Sequence, residues 1–282
     1  MAINMKVREA DYRFYSTDEA VDEFYREVIE GLGRRPRRIP PKYFYDRKGA
    51  LLFETICEQP EYYPTVTEVA ILRENAREIA AAVGPGRVLI EPGCGSCDKV
   101  RLLLDAMQPH AYVPVDISCD HLQVAASGIA EDFEWLDVHA VCADITDGME
   151  IPELNGKAGR LVFYPGSSLG NFEPDDAVAF LALLAETAGQ GGQLLVGIDL
   201  EKDHDILNAA YNDANGITAE FNLNVLQRIN RELDADFDIS AFSHRAFYND
   251  TASRIEMHLV SACRQSVRID GHTFEFGTGD TI

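Results

Sequence analysis

Between residues 65 and 199 the apolar positions switch repeatedly between two spacings. Short apolar runs bounded by turn residues fall at 88–90, 111–117, 138–142, 161–164 and 193–198 and predict buried strands. Segments of helical period lie beside them. Val69, Leu72, Ala76, Ile79 and Ala80 mark one helical face. Thr65-x-x-Glu68 fits a capping box at its start, and Gly84 stops it. Val100, Leu103, Leu104 and Met107 mark a second face, and 175–187 reads as a further helix. This alternation predicts an α/β fold with a doubly wound sheet. Pro114 is the discordant residue, because it brings no N–H to a strand interior.

The flanking segments have another texture. Residues 17–30 read as an amphipathic helix with Val21, Phe24, Tyr25 and Ile29 on one face, ended by Gly31 and Gly33. Residues 203–231 are helical with a break at Asn215-Gly216. Residues 254–260 alternate like a half-buried strand, and shorter strands are expected at 266–269 and 273–276. The chain therefore divides into a sheet domain at 65–199 and an α+β domain built from 12–64 plus 200–282.

Charge narrows the partners. Lys and Arg total 25 against 47 Asp and Glu, a net charge of −22 in 282 residues. Such a surface repels nucleic acid and anionic membranes, and it leaves a small zwitterionic substrate open. The arginines at 34, 35, 37 and 38 therefore read as a solvated link that pairs with carboxylates. No apolar run approaches a membrane span, and residues 1–11 lack the apolar core of a signal peptide, so a cytoplasmic location is expected. Cys94-x-x-Cys97 has no second pair to complete a metal site, and it reads as two small residues of a glycine loop. No metal is expected.

That loop, Glu91-Pro92-Gly93-Cys94-Gly95-Ser96-Cys97-Asp98, joins the first predicted strand to a helix. Gly93 and Gly95 let the backbone come close to a ligand. An ordinary glycine-rich turn carries the same residues. Asp98 stands where dinucleotide binders need Gly or Ala, and Glu91, at the strand end, suits a ligand's sugar hydroxyls or cationic end but would repel a diphosphate. Both disfavour a nicotinamide site and favour an adenosyl-sulfonium ligand. Asp116 ends the second strand, where an acid takes ribose hydroxyls. Asp144, after the third, reads equally as an adenine-reading carboxylate or a turn residue. Asn171 follows the fourth strand in Pro165-Gly166-Ser167-Ser168-Leu169-Gly170-Asn171 and offers both a donor and an acceptor. The tyrosines of Tyr43-Phe44-Tyr45-Asp46 and Tyr62-Tyr63-Pro64 read as core or as pocket lining.

Taken together these motifs resemble the histidine-specific Nα-methyltransferases of ergothioneine biosynthesis. The supporting stretches include Pro60-Glu61-Tyr62-Tyr63-Pro64-Thr65-x-Thr67-Glu68, the glycine loop ending in Lys99, Pro114-x-Asp116, Tyr211-Asn212-Asp213, Asn230-Arg231-Glu232-Leu233 and Arg254-Ile255-Glu256-Met257. The resemblance spans nearly the whole chain. It implies a Rossmann-like sheet that binds S-adenosylmethionine, with a second, α+β substrate domain. It implies that Gly93, Lys99, Asp116, Asp144 and Ile145 contact the methyl donor, that Tyr62, Asn171 and Tyr211 contact the amino acid, and that Tyr45 lies near the amine. The implied reaction is trimethylation of L-histidine to hercynine by positioning, with no acid–base catalyst. Family members continue past Gly279-Asp280-Thr281-Ile282 into a Thr-Glu-x-Ser segment that grips the imidazole, so a shortened chain is expected here. The alternatives are a methyltransferase for another amino acid or amine, and a protein that binds the donor without turnover.

Overall fold

The computed structural model describes residues 4–6, 12–16, 20–146, 148–154 and 159–282. The predicted alternation forms one sheet. Its strands are β1 (Asn4–Lys6), β2 (Tyr12–Ser16), β3 (Val88–Pro92), β4 (Ala111–Asp116), β5 (Asp137–Cys142), β6 (Arg160–Tyr164) and β7 (Gln193–Val196). Their order is β1-β2-β5-β4-β3-β6-β7, parallel except for β1. The order reverses between β3 and β6, and ligands of such sheets bind outside the carboxyl ends of the strands at that reversal.

Helices α3 (Tyr63–Val83), α4 (Asp98–Met107), α5 (Cys119–Asp132) and α6 (Pro174–Ala188) belong to this part of the chain. Period-two alternation splits each central strand between two faces. Leu89, Tyr112, Val138 and Leu161 pack with Leu103, Leu104 and Ile129. Ile90, Val113, Val141 and Val162 pack with Phe180 and Leu184 of α6. A fully buried aliphatic side chain of this kind contributes about 2 kcal/mol. Pro114 is accommodated by a local gap: β4 pairs with β5 at Ala111, Tyr112, Val115 and Asp116, and the ladder skips Val113 and Pro114.

The chain divides into two units, Met1–Asp18 with Pro64–Asp199, and Glu19–Tyr63 with Leu200–Ile282. Tyr12–Ser16, expected with the second domain, instead runs parallel to β5, with Tyr12 opposite Val138 and Ser16 opposite Cys142. Burial of Phe14 and Tyr15 against opposite faces of the sheet gives the physical reason.

The second unit contains α1 (Ala20–Gly33), α2 (Arg47–Cys57), α7 (His204–Ala210), α8 (Ile217–Glu232) and two hairpins, β8 (Phe242–Asn249) with β9 (Arg254–Ser261) and β10 (Gln265–Ile269) with β11 (His272–Phe276). The predicted start of α1 at 17–19 lies outside the described residues. Gly31 does not end that helix. It lies inside it, and glycine is required there because a Cβ would stand 2.0 Å from the Arg38 carbonyl oxygen. The break in the 203–231 helix is wider than expected and spans Tyr211 to Gly216, where Asp213 accepts from the backbone N–H groups of Ile217 (2.8 Å) and Thr218 (2.7 Å). No described helix is long and apolar enough to cross a membrane.

Candidate active site

The glycine loop is pinned to β4. Gly93 N–H donates to the Val115 carbonyl at 2.7 Å, and Gly95 N–H donates to Asp116 Oδ2 at 3.0 Å. Gly93 and Gly95 have φ of 66° and 55°, in the left-handed region that favours glycine. Asp116 Oδ1 accepts from Ser118 N–H at 2.9 Å, so both carboxylate oxygens are anchored at the end of β4. Burial raises the Asp116 carboxyl, against the lowering effect of these N–H donors. A carboxylate has about four acceptor sites, which leaves capacity for a diol.

Asp144 lies beyond β5. Its Oδ1 accepts from the Thr146 N–H at 2.8 Å and the Thr146 hydroxyl at 2.7 Å, so the turn role is present. Ile145 Cδ1 lies 3.9 Å from where a Gly93 Cβ would stand, which brings the loops after β3 and β5 together. A disulfide joins Cys119, at the start of α5, to Cys142, at the end of β5. Cys94 and Cys97 are buried free thiols, and burial pushes the Cys94 thiol up, away from the reactive thiolate.

Two expectations are corrected here. Glu91 does not face a ligand's sugar or cationic end. It is 1% exposed, and the Tyr112 hydroxyl donates to it from the neighbouring strand. Burial pushes its carboxyl up to about 8, so it is protonated at neutral pH. A group whose pKa is raised on folding contributes stability that is fully present below its unfolded value, 4.5, and lost as pH rises through about 8. Glu91→Gln is therefore expected to flatten the decline in stability across that interval, as read by urea denaturation at both ends. An unchanged pH profile would contradict a buried neutral Glu91.

The second correction concerns Glu68. Helix α3 begins at Tyr63, with Pro64 in its first turn, so Thr65 is already inside the helix and no capping box forms. Glu68 turns toward the sheet. Its Oε2 lies 2.6 Å from Lys99 Nζ, and its carboxylate accepts from Gly166 N–H at 2.8 and 2.9 Å.

Asn171 is exposed and ends the single 3-10 turn Ser168–Asn171 after β6. Tyr62 and Tyr211 belong to the second unit, where their rings meet edge-on at 6.1 Å. They extend a cluster in which Tyr45 meets Phe53 at 5.5 Å and Phe221 at 5.6 Å. Burial pushes the Tyr62 phenol well above its usual range, so the hydroxyl is neutral. The Tyr211 backbone is held by His244, whose Nε2–H donates to its carbonyl at 3.0 Å while Nδ1 accepts from Asn222 at 2.9 Å. Burial lowers the His244 pKa, which keeps the ring neutral in that tautomer. Tyr43 is core: it is 3% exposed, and its hydroxyl donates to Glu27 at 2.6 Å.

The family model of S-adenosylmethionine-dependent, histidine-specific methyltransferases matches residues 24–282. The chain belongs to this family. It is 42% identical to the histidine N-alpha-methyltransferase of Mycolicibacterium smegmatis over 95% of its own length and 85% of that protein. It is 41% identical to the protein of the same name from Mycobacterium tuberculosis, over 91% and 81%. Identity to ergothioneine biosynthesis protein 1 of Neurospora crassa is 30%, over 83% of this chain and 29% of that one. The family's methyl donor is S-adenosylmethionine. Sequence reasoning missed the orientation of Glu68 and the burial of Glu91. The signal for the first was Pro64, which suits a first helical turn and moves the start ahead of Thr65.

Proposed function

We propose that this chain transfers methyl groups from S-adenosylmethionine to the α-amino nitrogen of L-histidine, three in succession, giving the trimethylated betaine hercynine. The observation that carries this reading is the 42% identity to a histidine N-alpha-methyltransferase across nearly the whole chain. The donor groups fit. Two left-handed glycines open the loop after β3, Asp116 keeps unused acceptor capacity at the end of β4, and Lys99 brings a cation to the first turn of α4. In this assignment Gly93, Lys99, Asp116, Asp144 and Ile145 take the donor. Tyr62, Asn171 and Tyr211 take the amino acid, with Tyr45 near its amine.

S-adenosylmethionine supplies an electrophilic methyl group on a sulfonium. The chain's part is to hold the amine lone pair in line and to exclude competing water, and orientation of this kind accounts for large accelerations without acid–base groups. The neutral Tyr62 hydroxyl, the Tyr211 hydroxyl and the Asn171 amide orient the amino acid by hydrogen bonds. Each transfer forms a nitrogen–carbon bond and breaks the carbon–sulfur bond. Water takes one ammonium proton before the first transfer and one after each of the first and second, which supplies the lone pair for every step. The third leaves a fixed cation that aromatic faces accommodate.

Asn171→Ala and Tyr211→Phe are each expected to weaken histidine binding about tenfold while leaving S-adenosylhomocysteine affinity unchanged. Calorimetry with each ligand checks this. Equal loss of both ligands would contradict the assignment.

A further inference from the structure

Glu68 and Lys99 form an ion pair that the assigned donor contacts do not explain. The pair sits beside the reversal point of the sheet. Lys99 is in the first turn of the helix that follows β3, and Glu68 reaches from α3 to the loop that follows β6. The fold makes room for this carboxylate. A Cβ on Gly197 would stand 2.0 Å from Glu68 Oε1, and one on Gly166 would stand 3.1 Å from Lys99 Nζ. The side chains of Lys99 and Glu68 remain 24% and 16% exposed, so the pair is not sealed.

The electrostatics decide what such a pair can receive. A lone carboxylate arriving at Lys99 also meets the negative charge of Glu68, and the two repel. A zwitterion avoids this when its ammonium lies on the Glu68 side. Glu68 has the capacity: one N–H and one ammonium already bond to it, and a carboxylate offers about four acceptor sites. We propose that Glu68 is a donor-binding residue, taking the α-ammonium of S-adenosylmethionine's amino-acid end while Lys99 takes the α-carboxylate. This rests on the reading of Lys99 as a donor contact.

The test is calorimetry with S-adenosylhomocysteine and two analogues, one with its ammonium replaced by hydrogen and one with its carboxylate replaced by hydrogen. Glu68→Gln is expected to weaken S-adenosylhomocysteine about tenfold or more and to bind the analogue without the ammonium no more weakly than wild type. Lys99→Met is expected to weaken S-adenosylhomocysteine but not the analogue without the carboxylate. Gly197→Ala, which displaces the Glu68 carboxylate while keeping its charge, is expected to share the selectivity of Glu68→Gln. Retained analogue binding also shows that each variant is folded. If Glu68→Gln weakens S-adenosylhomocysteine and the ammonium-free analogue alike, or weakens neither, the proposal is overturned. If Lys99→Met also leaves S-adenosylhomocysteine unaffected, the donor assignment of Lys99 falls with it. If only Glu68→Gln departs from expectation, that assignment stands.

Discussion

Asp116→Ala is expected to lower S-adenosylhomocysteine affinity by about a hundredfold or more. Two hydrogen bonds to a carboxylate, from a ribose diol, are each worth roughly 1.5–3 kcal/mol, and about 1.4 kcal/mol is a factor of ten. The same residue also anchors Gly95 N–H and Ser118 N–H, so its loss loosens the glycine loop. Adenosine should suffer alongside S-adenosylhomocysteine, because both carry the sugar. Lys99→Met should spare adenosine, because adenosine has no amino-acid end. Asp116→Asn keeps one acceptor oxygen and is expected to fall between wild type and Asp116→Ala. Unchanged affinity in Asp116→Ala, measured by calorimetry, would contradict the donor assignment.

The second large effect is on stability. Asp46 of the Tyr43-Phe44-Tyr45-Asp46 motif caps α2 by accepting from Gly49 N–H at 2.8 Å. Its Oδ1 also accepts from Asn224 Nδ2 at 2.7 Å, and its Oδ2 from Arg231 at 2.6 Å. Burial opposes ionisation of Asp46, but the Gly49 N–H, Arg231 and Asn224 outweigh it and hold the carboxyl below its usual range. Asp46→Ala removes a helix cap, worth about 1 kcal/mol, and strands the fully buried Asn224 donor at a cost of about 1–3 kcal/mol. A loss of about 3 kcal/mol is expected in urea denaturation, with part of it restored in Asp46→Asn. A lowered pKa gives stability that is present above the unfolded value and lost as pH falls through the folded one, so the deficit of Asp46→Ala should shrink in acid. A deficit below about 1 kcal/mol at neutral pH would contradict this account.

The sheet was legible because burial on two faces leaves a simple record. The apolar runs at 88–90, 138–142 and 161–164 became β3, β5 and β6, and the face made by Val100, Leu103, Leu104 and Met107 is fully covered. Elements stabilised by distant partners were not legible. Tyr12–Ser16 becomes a strand through pairing with β5, more than a hundred positions away. Phe242–Asn249 has no clean alternation, and it is held by its hairpin partner β9. Helix α2 contains Gly49, a poor helix residue that is required because a Cβ there would stand 1.7 Å from the Phe44 carbonyl oxygen.

In the candidate site, residue type and strand position placed Gly93, Asp116 and Asp144 at the ends of adjacent strands. They did not show which way a side chain turns. Thr65-x-x-Glu68 satisfies a local capping rule, yet Glu68 finds stronger partners in Lys99 and the Gly166 N–H, a competition between local and tertiary hydrogen bonds. Glu91 lies at the strand end where a ligand-facing acid was expected, but the alternation of the strand and the reach of Tyr112 turn it inward.

The central claim is tested most directly by mass spectrometry of L-histidine incubated with S-adenosylmethionine and the protein, beside a panel of other amino acids. The account predicts histidine products heavier by one, two and three methyl groups, with the trimethylated species accumulating. Binding of S-adenosylhomocysteine with no methylated histidine, or methylation of another amino acid in preference to it, would contradict the account.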